Sequence, residues 1–338
     1  MIDTILTEDI QQILSRIRFD AFQDSGVLVA GGGGFIGSYL CDTLVRTGAS
    51  VTCLDNFSTG VAENVDHLFE KSNFRMVRAD VSDFESDDNY DFILHFASRA
   101  SPDEYQLNPV KTLLANSHGS YRLLELARKH DSKILFASSS EVYGDANVIP
   151  TPESYWGNVN PIGIRSCYDE SKRFGEALFM AFHREHKLDT TIVRIHNTYG
   201  PRLRADAAFA RALSRLIRQA LENEDLTVYG DGTQTRSFCY VTDTVTAILQ
   251  ALISPRSTGE VINVGGTDET RILDLAKRIR EIVGSKSMVT FKPLPPDDPL
   301  RRCPDIKKAN ELLGWHPTID LETGLNRTIG WFKNSKGR

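Results

Sequence analysis

Apolar residues in this chain come in two patterns: short unbroken runs, and longer stretches in which they recur every three or four positions. Short runs bounded by turn formers read as strands buried on both faces, and the recurring stretches as helices with one apolar side. The runs are Val27-Leu28-Val29-Ala30, Val51-Thr52-Cys53-Leu54, Phe74 to Ala79, Asp91 to Ala97 and Lys133 to Ala137. Helical patterns lie around Leu40 and Leu44 and through Leu123, Leu124, Leu126 and Ala127. Strand alternating with helix predicts an α/β fold, a Rossmann-type doubly wound parallel sheet whose ligands gather at the carboxyl ends of the strands. Ahead of it, Thr7-Glu8-Asp9 marks a helix start, and Ile10, Ile13, Leu14 and Ile17 form one stripe. Residues 1–23 are therefore read as a helical extension, packed on the body or on a partner subunit.

The first strand runs directly into Gly31-Gly32-Gly33-Gly34-Phe35-Ile36-Gly37, which opens the next helix. Strand, glycine turn and helix in that order are what a dinucleotide site requires. Gly31, Gly34 and Gly37 allow a tight turn, close approach of backbone to a diphosphate, and close packing of helix on strand. The helix N-terminus then faces the negative charge. About twenty residues on, the second strand ends at Asp55, placed to bind the adenosine ribose hydroxyls and to repel a 2′-phosphate, so the expected cofactor is NAD and not NADP. Asp80, after the third strand, suits the adenine edge or is a solvated turn residue.

Further along, Cys167-Tyr168-Asp169-Glu170-Ser171-Lys172 contains a Tyr-x-x-x-Lys pair. Residues four apart share one face of a helix, so phenol and ammonium can enter the same cleft, where a cation lowers the tyrosine pKa and makes it a usable base. Any helix can carry that spacing by chance. Ser138-Ser139-Ser140-Glu141-Val142-Tyr143-Gly144 follows the fifth strand, where substrate and nicotinamide would meet.

Composition narrows the setting. A length of 338 residues allows a large core, and 41% hydrophobic with 25% charged residues is ordinary for a globular chain. A net charge of −6 argues against nucleic acid as a partner and requires local arginines for any anionic substrate. No apolar run reaches membrane-spanning length and the N-terminus lacks signal-peptide character, so no membrane association and a cytoplasmic location are expected. Cys41, Cys53, Cys167, Cys239 and Cys303 show no metal or disulfide spacing, and no metal site is expected.

Taken together, the glycine turn, the serine run and the Tyr-x-x-x-Lys pair resemble the extended short-chain dehydrogenase/reductases that modify nucleotide sugars. Four stretches are similar, more narrowly, to the UDP-glucuronate decarboxylase (UDP-xylose synthase) family: His95 to Thr112, Ser138 to Asp145, Tyr155-Trp156-Gly157-Asn158-Val159-Asn160-Pro161 running on to Lys172, and Asp297-Asp298-Pro299 to Lys308. The resemblance covers the chain from about Val27 onward. It implies Tyr168 as base, Lys172 on the ribose and the tyrosine's charge, Ser139 on the reacting oxygen, and Glu141 as a group that positions water or relays a proton. It also implies cofactor contacts from Gly31, Gly34, Phe35, Ile36, Gly37, Asp55, Asn56, Asp80, Val81, Ala97 and Asn116. Substrate contacts are implied for Asn197, Arg202, Arg236 and Arg302, besides Ser139 and Glu141. Residues 24–198 with 237–264 would form the NAD-binding domain, and 199–236 with 265–338 a smaller C-terminal α/β domain for the nucleotide sugar. A homodimer is implied through the helix around Asn116 to Lys129 and the helix carrying Tyr168.

Four departures stand out. Ala30 replaces the family's threonine, Arg99 a proline and Ser171 a glycine, and the segment after Arg202 reads Arg204-Ala205-Asp206-Ala207-Ala208-Phe209-Ala210-Arg211 where the family has Asp-Gly-Arg-Val-Val. The expected activity is decarboxylation of a nucleotide hexuronate, UDP-glucuronate to UDP-xylose, through a transient 4-keto sugar with NADH recycled. The alternatives are an NAD-dependent 4-epimerase, which shares the first step, and a non-catalytic nucleotide-binding regulator, which would not need the Tyr-Lys pair.

Overall fold

The computed structural model describes residues 4–206 and 211–335. Its first half alternates as the apolar runs predict: β1 (Gly26–Ala30), α2 (Phe35–Arg46), β2 (Ser50–Leu54), β3 (Phe74–Val77), β4 (Phe92–His95), α3 (Pro102–Leu107), α4 (Pro109–Asn116), α5 (His118–His130) and β5 (Lys133–Ser139), preceded by α1 (Thr4–Arg16). Then follow α6 (Ser166–His186), β6 (Thr190–Ile195), β7 (Thr198–Tyr199), α7 (Ala212–Glu222), β8 (Leu226–Tyr229), β9 (Thr235–Ser237), β10 (Cys239–Tyr240), α8 (Val241–Ile253) and β11 (Glu260–Val264). The chain ends with β12 (Glu269–Arg271), α9 (Ile272–Val283), β13 (Val289–Lys292), β14 (Arg301–Arg302), α10 (Lys307–Leu313) and α11 (Leu321–Ser335).

Seven strands form one parallel sheet in the order β11-β6-β5-β4-β1-β2-β3. Each apolar run serves both faces. Val27 and Val29 of β1 join the core under α1, α2 and α8, whereas Leu28 and Ala30 join the core under α5 and α6 with Phe136 and Phe179. This two-sided burial explains why the strands read as continuous apolar runs without alternation. The order reverses between β1 and β4, and that crevice is where a doubly wound sheet accepts a dinucleotide.

The second half adds β8 paired with β13, β9 between β12 and β14, and the helices α7 and α9. Helix α1 packs on the body, and it starts at Thr4, earlier than Thr7, because Leu6 continues the buried stripe of Ile10 and Ile13. Its Asp9 is fully buried and accepts hydrogen bonds from Tyr39 of α2 (3.0 Å), Tyr240 (3.0 Å) and Arg327 of α11 (2.8 Å). Helix α1 thus ties α2 to the C-terminal helix α11. The helix expected around Asn116 to Lys129 is α5, with the separate helix α4 ending at Asn116 just before it.

Candidate active site

The turn after β1 leaves no room for side chains. Gly31 has φ +85°, and a Cβ there would lie 2.5 Å from the Phe96 carbonyl carbon at the end of β4. A Cβ on Gly37 would lie 2.1 Å from the Gly31 carbonyl oxygen, so helix and turn pack backbone to backbone. Gly34 caps α2 in an extended conformation. The cleft above this turn encloses about 520 Å³ out to solvent, and its lining includes Gly31, Gly34, Asp55, Asn56, Asp80 and Ala97, with Val81 and Arg99 beside them.

Asp55, at the end of β2, accepts from the backbone N–H of Gly33 (2.9 Å) and of Phe57 (2.7 Å). Burial raises its pKa against those two amides. Asp80 accepts from Asn56 Nδ2 (2.7 Å) and from the Ser82 hydroxyl and amide, and these bonds outweigh its burial and lower its pKa. A bare glycine cradle with an acid at the next strand end fits the diphosphate and ribose of NAD.

At the opposite end of the crevice α6 presents Tyr168 and Lys172, both buried. The Lys172 ammonium donates to the Ala137 carbonyl of β5 (2.7 Å) and lies 5.7 Å from the Tyr168 ring centroid. Burial brings its pKa down to about 7, against the pull of Glu176. Contrary to the expectation that Lys172 would lower it, the Tyr168 pKa is raised by burial, and the groups that oppose the rise are Arg211 and the Ser139 hydroxyl. Tyr105 of α3 stacks on Tyr168 with centroids 5.1 Å apart and planes 7° apart. Glu176 fixes the end of β5, accepting from Ser138 (2.5 Å) and from Arg194 through two bonds of 2.8 and 2.6 Å.

Glu141, just beyond β5, is clasped from two sides. Arg302 donates to both its oxygens (2.6 and 2.8 Å) and Arg165 to Oε2 (2.7 Å). Burial would raise its pKa, but the two guanidinium groups override this and hold it well below the usual carboxylate range. A carboxylate so held favours its ionised form, which can position a water or accept a proton and pass it on. Asp169 nearby is pushed up to about 7 by burial and then by the Glu141 charge. Around this core the motif stretches meet: Arg165 and Arg236 both reach Asp298 (3.5 and 3.0 Å), and Asn160 donates to Asp297 (3.3 Å).

Residues 27–265 match the model of the NAD dependent epimerase/dehydratase family. The chain belongs to that family. Two relatives are UDP-glucuronic acid decarboxylase 1 of Danio rerio, 45% identical over 90% of this chain and 72% of the relative, and UDP-glucuronic acid decarboxylase 5 of Arabidopsis thaliana, 45% identical over 92% and 91%. Among solved structures, UDP-glucuronic acid 4-epimerase from Bacillus cereus, in complex with UDP-glucuronic acid and NAD, has a TM-score of 0.82 at 31% identity, covering 92% of this chain and 99% of that one. The cofactor of this family member is NAD.

Not every residue implied by resemblance faces the cleft of this epimerase/dehydratase. Arg202 has φ +68° and turns onto α2, where it is buried, donates to Asp42 (2.7 Å) and lies over the Tyr39 ring, so its assignment as a substrate contact is corrected. Burial pulls the Asp42 pKa upward, yet His67 and Arg202 hold it at about 2. Asn116 lies behind the cleft, donating to Ser98 (2.9 Å) and Ser171 (3.0 Å). Phe35 and Ile36 form the first turn of α2, and Asn197 donates to the Ser237 carbonyl (3.0 Å) next to Arg236.

Cys167 is buried and donates to the Tyr105 carbonyl (3.4 Å), with its pKa raised by burial, so it is a packing residue. All five cysteines are free, and among the described residues no group of side chains could hold a metal. Of the altered segment from Arg204 to Arg211, residues 207–210 lie outside the described residues. Arg165, Tyr105, Asp169 and Arg211 escaped the sequence reading. Only Arg165 had a signal there, its place three residues before Tyr168 at the start of α6.

Proposed function

We propose that this protein decarboxylates UDP-glucuronate to UDP-xylose. The observation that carries the reading is the pairing of buried Tyr168 and Lys172, with the half-buried Ser139 beside the phenol, and a carboxylate, Glu141, locked by Arg165 and Arg302 at the end of β5, in a chain 45% identical to decarboxylases along nearly its whole length. Tyr168, with Ser139 beside it, takes the proton of the sugar C4 hydroxyl. Bound NAD supplies the hydride acceptor for C4 and returns the same hydride at the end, so it is not consumed. The 4-keto sugar is a β-keto acid, and breaking its C5–carboxyl bond leaves the electron pair delocalised onto the ketone oxygen. A proton then adds at C5, and Tyr168 returns the proton to the C4 oxygen on reduction. The balance is UDP-glucuronate plus one proton to UDP-xylose plus carbon dioxide.

Glu141 orders a water beside C5 and places negative charge near the substrate carboxylate, which favours its departure as neutral carbon dioxide. Arg236 and Asn197 hold the nucleotide sugar. Residues 24–198 with 237–264 serve as the cofactor half and 199–236 with 265–338 as the sugar half. Supplying UDP-glucuronate and following carbon dioxide and the sugar product tests the reading; formation of UDP-galacturonate without carbon dioxide would replace it with 4-epimerisation.

A homodimer is part of the proposal. Tyr121 of α5 and Phe174 of α6 are exposed apolar residues on the two helices expected to pair, and Leu107, Val110 and Leu114 are exposed on the neighbouring α3 and α4. Light scattering at micromolar protein should give twice the chain mass, and a monomer would refute it. A cytoplasmic setting fits five unpaired cysteines. Among the described residues no helix is long and apolar enough to cross a membrane.

A further inference from the structure

Arg99 is a buried cation without an adequate partner. The residue is 7% exposed, and no side-chain hydrogen bond to it forms within the described protein. Glu104 Oε2 lies 3.5 Å from Nε without bonding it, so that Nε remains an unsatisfied buried donor, and the Arg99 charge also acts on Asp80, whose pKa it helps lower. A guanidinium carries five N–H donors and does not lose its proton, and here Nε is buried without a hydrogen bond while the terminal nitrogens, which make none to the described protein, are open to the cleft, so a ligand there would relieve an unfavourable arrangement. Arg99 lines the dinucleotide cleft together with Gly31 and Gly34. It also stands where the decarboxylase pattern has proline, so backbone geometry alone does not require it.

Its place in the sheet says which part of a dinucleotide it would meet. Arg99 follows β4, whose end abuts the glycine turn: the backbone of Phe96 and Ala97 lies within 2.6 Å of where a Gly31 Cβ would be. Strand β4 flanks β1 on the side opposite β2, and the ribose-binding acid Asp55 ends β2. Arg99 therefore follows the strand that abuts the glycine cradle, and it lines one cleft with Gly31, Gly34 and Asp80. We infer that Arg99 is a cationic clamp on the cofactor diphosphate, closing from the β4 side a site that the α2 N-terminus and glycine turn form from below. The chemistry is that of an arginine fork on phosphate oxygens, two charge-assisted hydrogen bonds and a charge match. In a chain of net charge −6, such a local cation also offsets repulsion of an anionic cofactor.

The inference rests on the NAD reading and is tested on full-length protein stripped of nucleotide. Affinities for NAD, ADP-ribose, adenosine and UDP are measured by calorimetry for wild type, Arg99→Gln and Arg99→Lys, together with the melting temperature of each with and without NAD. For Arg99→Gln, NAD and ADP-ribose should bind roughly 10- to 100-fold more weakly, as expected for losing a charged hydrogen bond, while adenosine and UDP are unchanged. Arg99→Lys should fall between. Without ligand, Arg99→Gln should melt at or above the wild-type temperature, because an unmatched buried charge has been removed, and the rise produced by NAD should shrink. A purely structural arginine paired with Glu104 would do the opposite and lower the ligand-free melting temperature. Equal NAD and ADP-ribose affinity in wild type and Arg99→Gln would overturn the inference, as would weakening confined to UDP. Failure of the wild type itself to bind NAD would overturn the cofactor reading first.

Discussion

Glutamine at position 141 removes one charge and leaves two buried guanidinium groups facing an amide. In the wild type, Glu141 accepts three hydrogen bonds of 2.6 to 2.8 Å from Arg165 and Arg302. The glutamine oxygen can keep one arginine, but its NH2 group turns a donor toward donors of the other. Removing one partner of a buried ion pair typically costs about 3–5 kcal/mol, and for a chain of this length that corresponds to a fall in melting temperature of about 4–7 °C. The effect has a pH signature. The folded-state pKa of Glu141 is depressed, so its contribution is fully present above the unfolded value of about 4.3 and is lost as pH falls from there toward the folded value. The stability gap between wild type and Glu141→Gln should therefore be widest near pH 5, narrow in stronger acid, and shrink as pH rises through 7, where Asp169, whose pKa the Glu141 charge helps raise, ionises at a cost to the wild type. Carbon dioxide release from UDP-glucuronate should fall on the order of a hundredfold, as for loss of a group that orders proton transfer, with NAD affinity retained. Denaturation across pH and a carbon dioxide assay read the two effects separately. A variant with wild-type melting temperature and wild-type decarboxylation would show that the clasp around Glu141 neither stabilises the fold nor serves the reaction.

Tyr168→Phe keeps the stack on Tyr105 but removes the base, so turnover should drop by roughly 10²–10⁴-fold while calorimetry shows NAD binding intact; near-normal turnover would exclude Tyr168 as the base. Asp55→Asn should weaken NAD on the order of tenfold and narrow the gap to NADP, because the amide cannot serve both backbone N–H groups and ribose and no longer repels phosphate; titration with both nucleotides checks this, and an unchanged preference would argue against ribose binding by Asp55. Gly37→Ala would force a methyl to 2.1 Å from the Gly31 oxygen, so the turn must open: about 1–3 kcal/mol of stability and most NAD affinity should be lost, measured by melting and by calorimetry. Arg302→Ala should cut turnover without releasing NAD, which a joint measurement of activity and bound nucleotide would show.

Much of the scaffold could be read in the chain itself because its code is local. Apolar runs such as Val27 to Ala30 must be buried on both faces, Gly31 and Gly37 occupy positions where a Cβ has no space, and a four-residue spacing on a helix puts Tyr168 and Lys172 on one side. What tertiary structure alone decided is which charges meet. Glu141 and Arg302 are 161 positions apart and Arg202 and Asp42 are 160 apart, and no periodicity relates them. Arg202 carries a motif that resembles a substrate contact, yet a positive φ turns it onto α2, where a buried aspartate needs a counter-charge. Likewise the shift of a pKa depends on burial and on the nearest charge: the sequence pairs Tyr168 with Lys172, whereas the fold ties Lys172 to the Ala137 carbonyl and sets Arg211 near the phenol. Spacing along a helix or strand is inherited from the backbone, but contacts between elements exist only once the sheet has brought its carboxyl ends together.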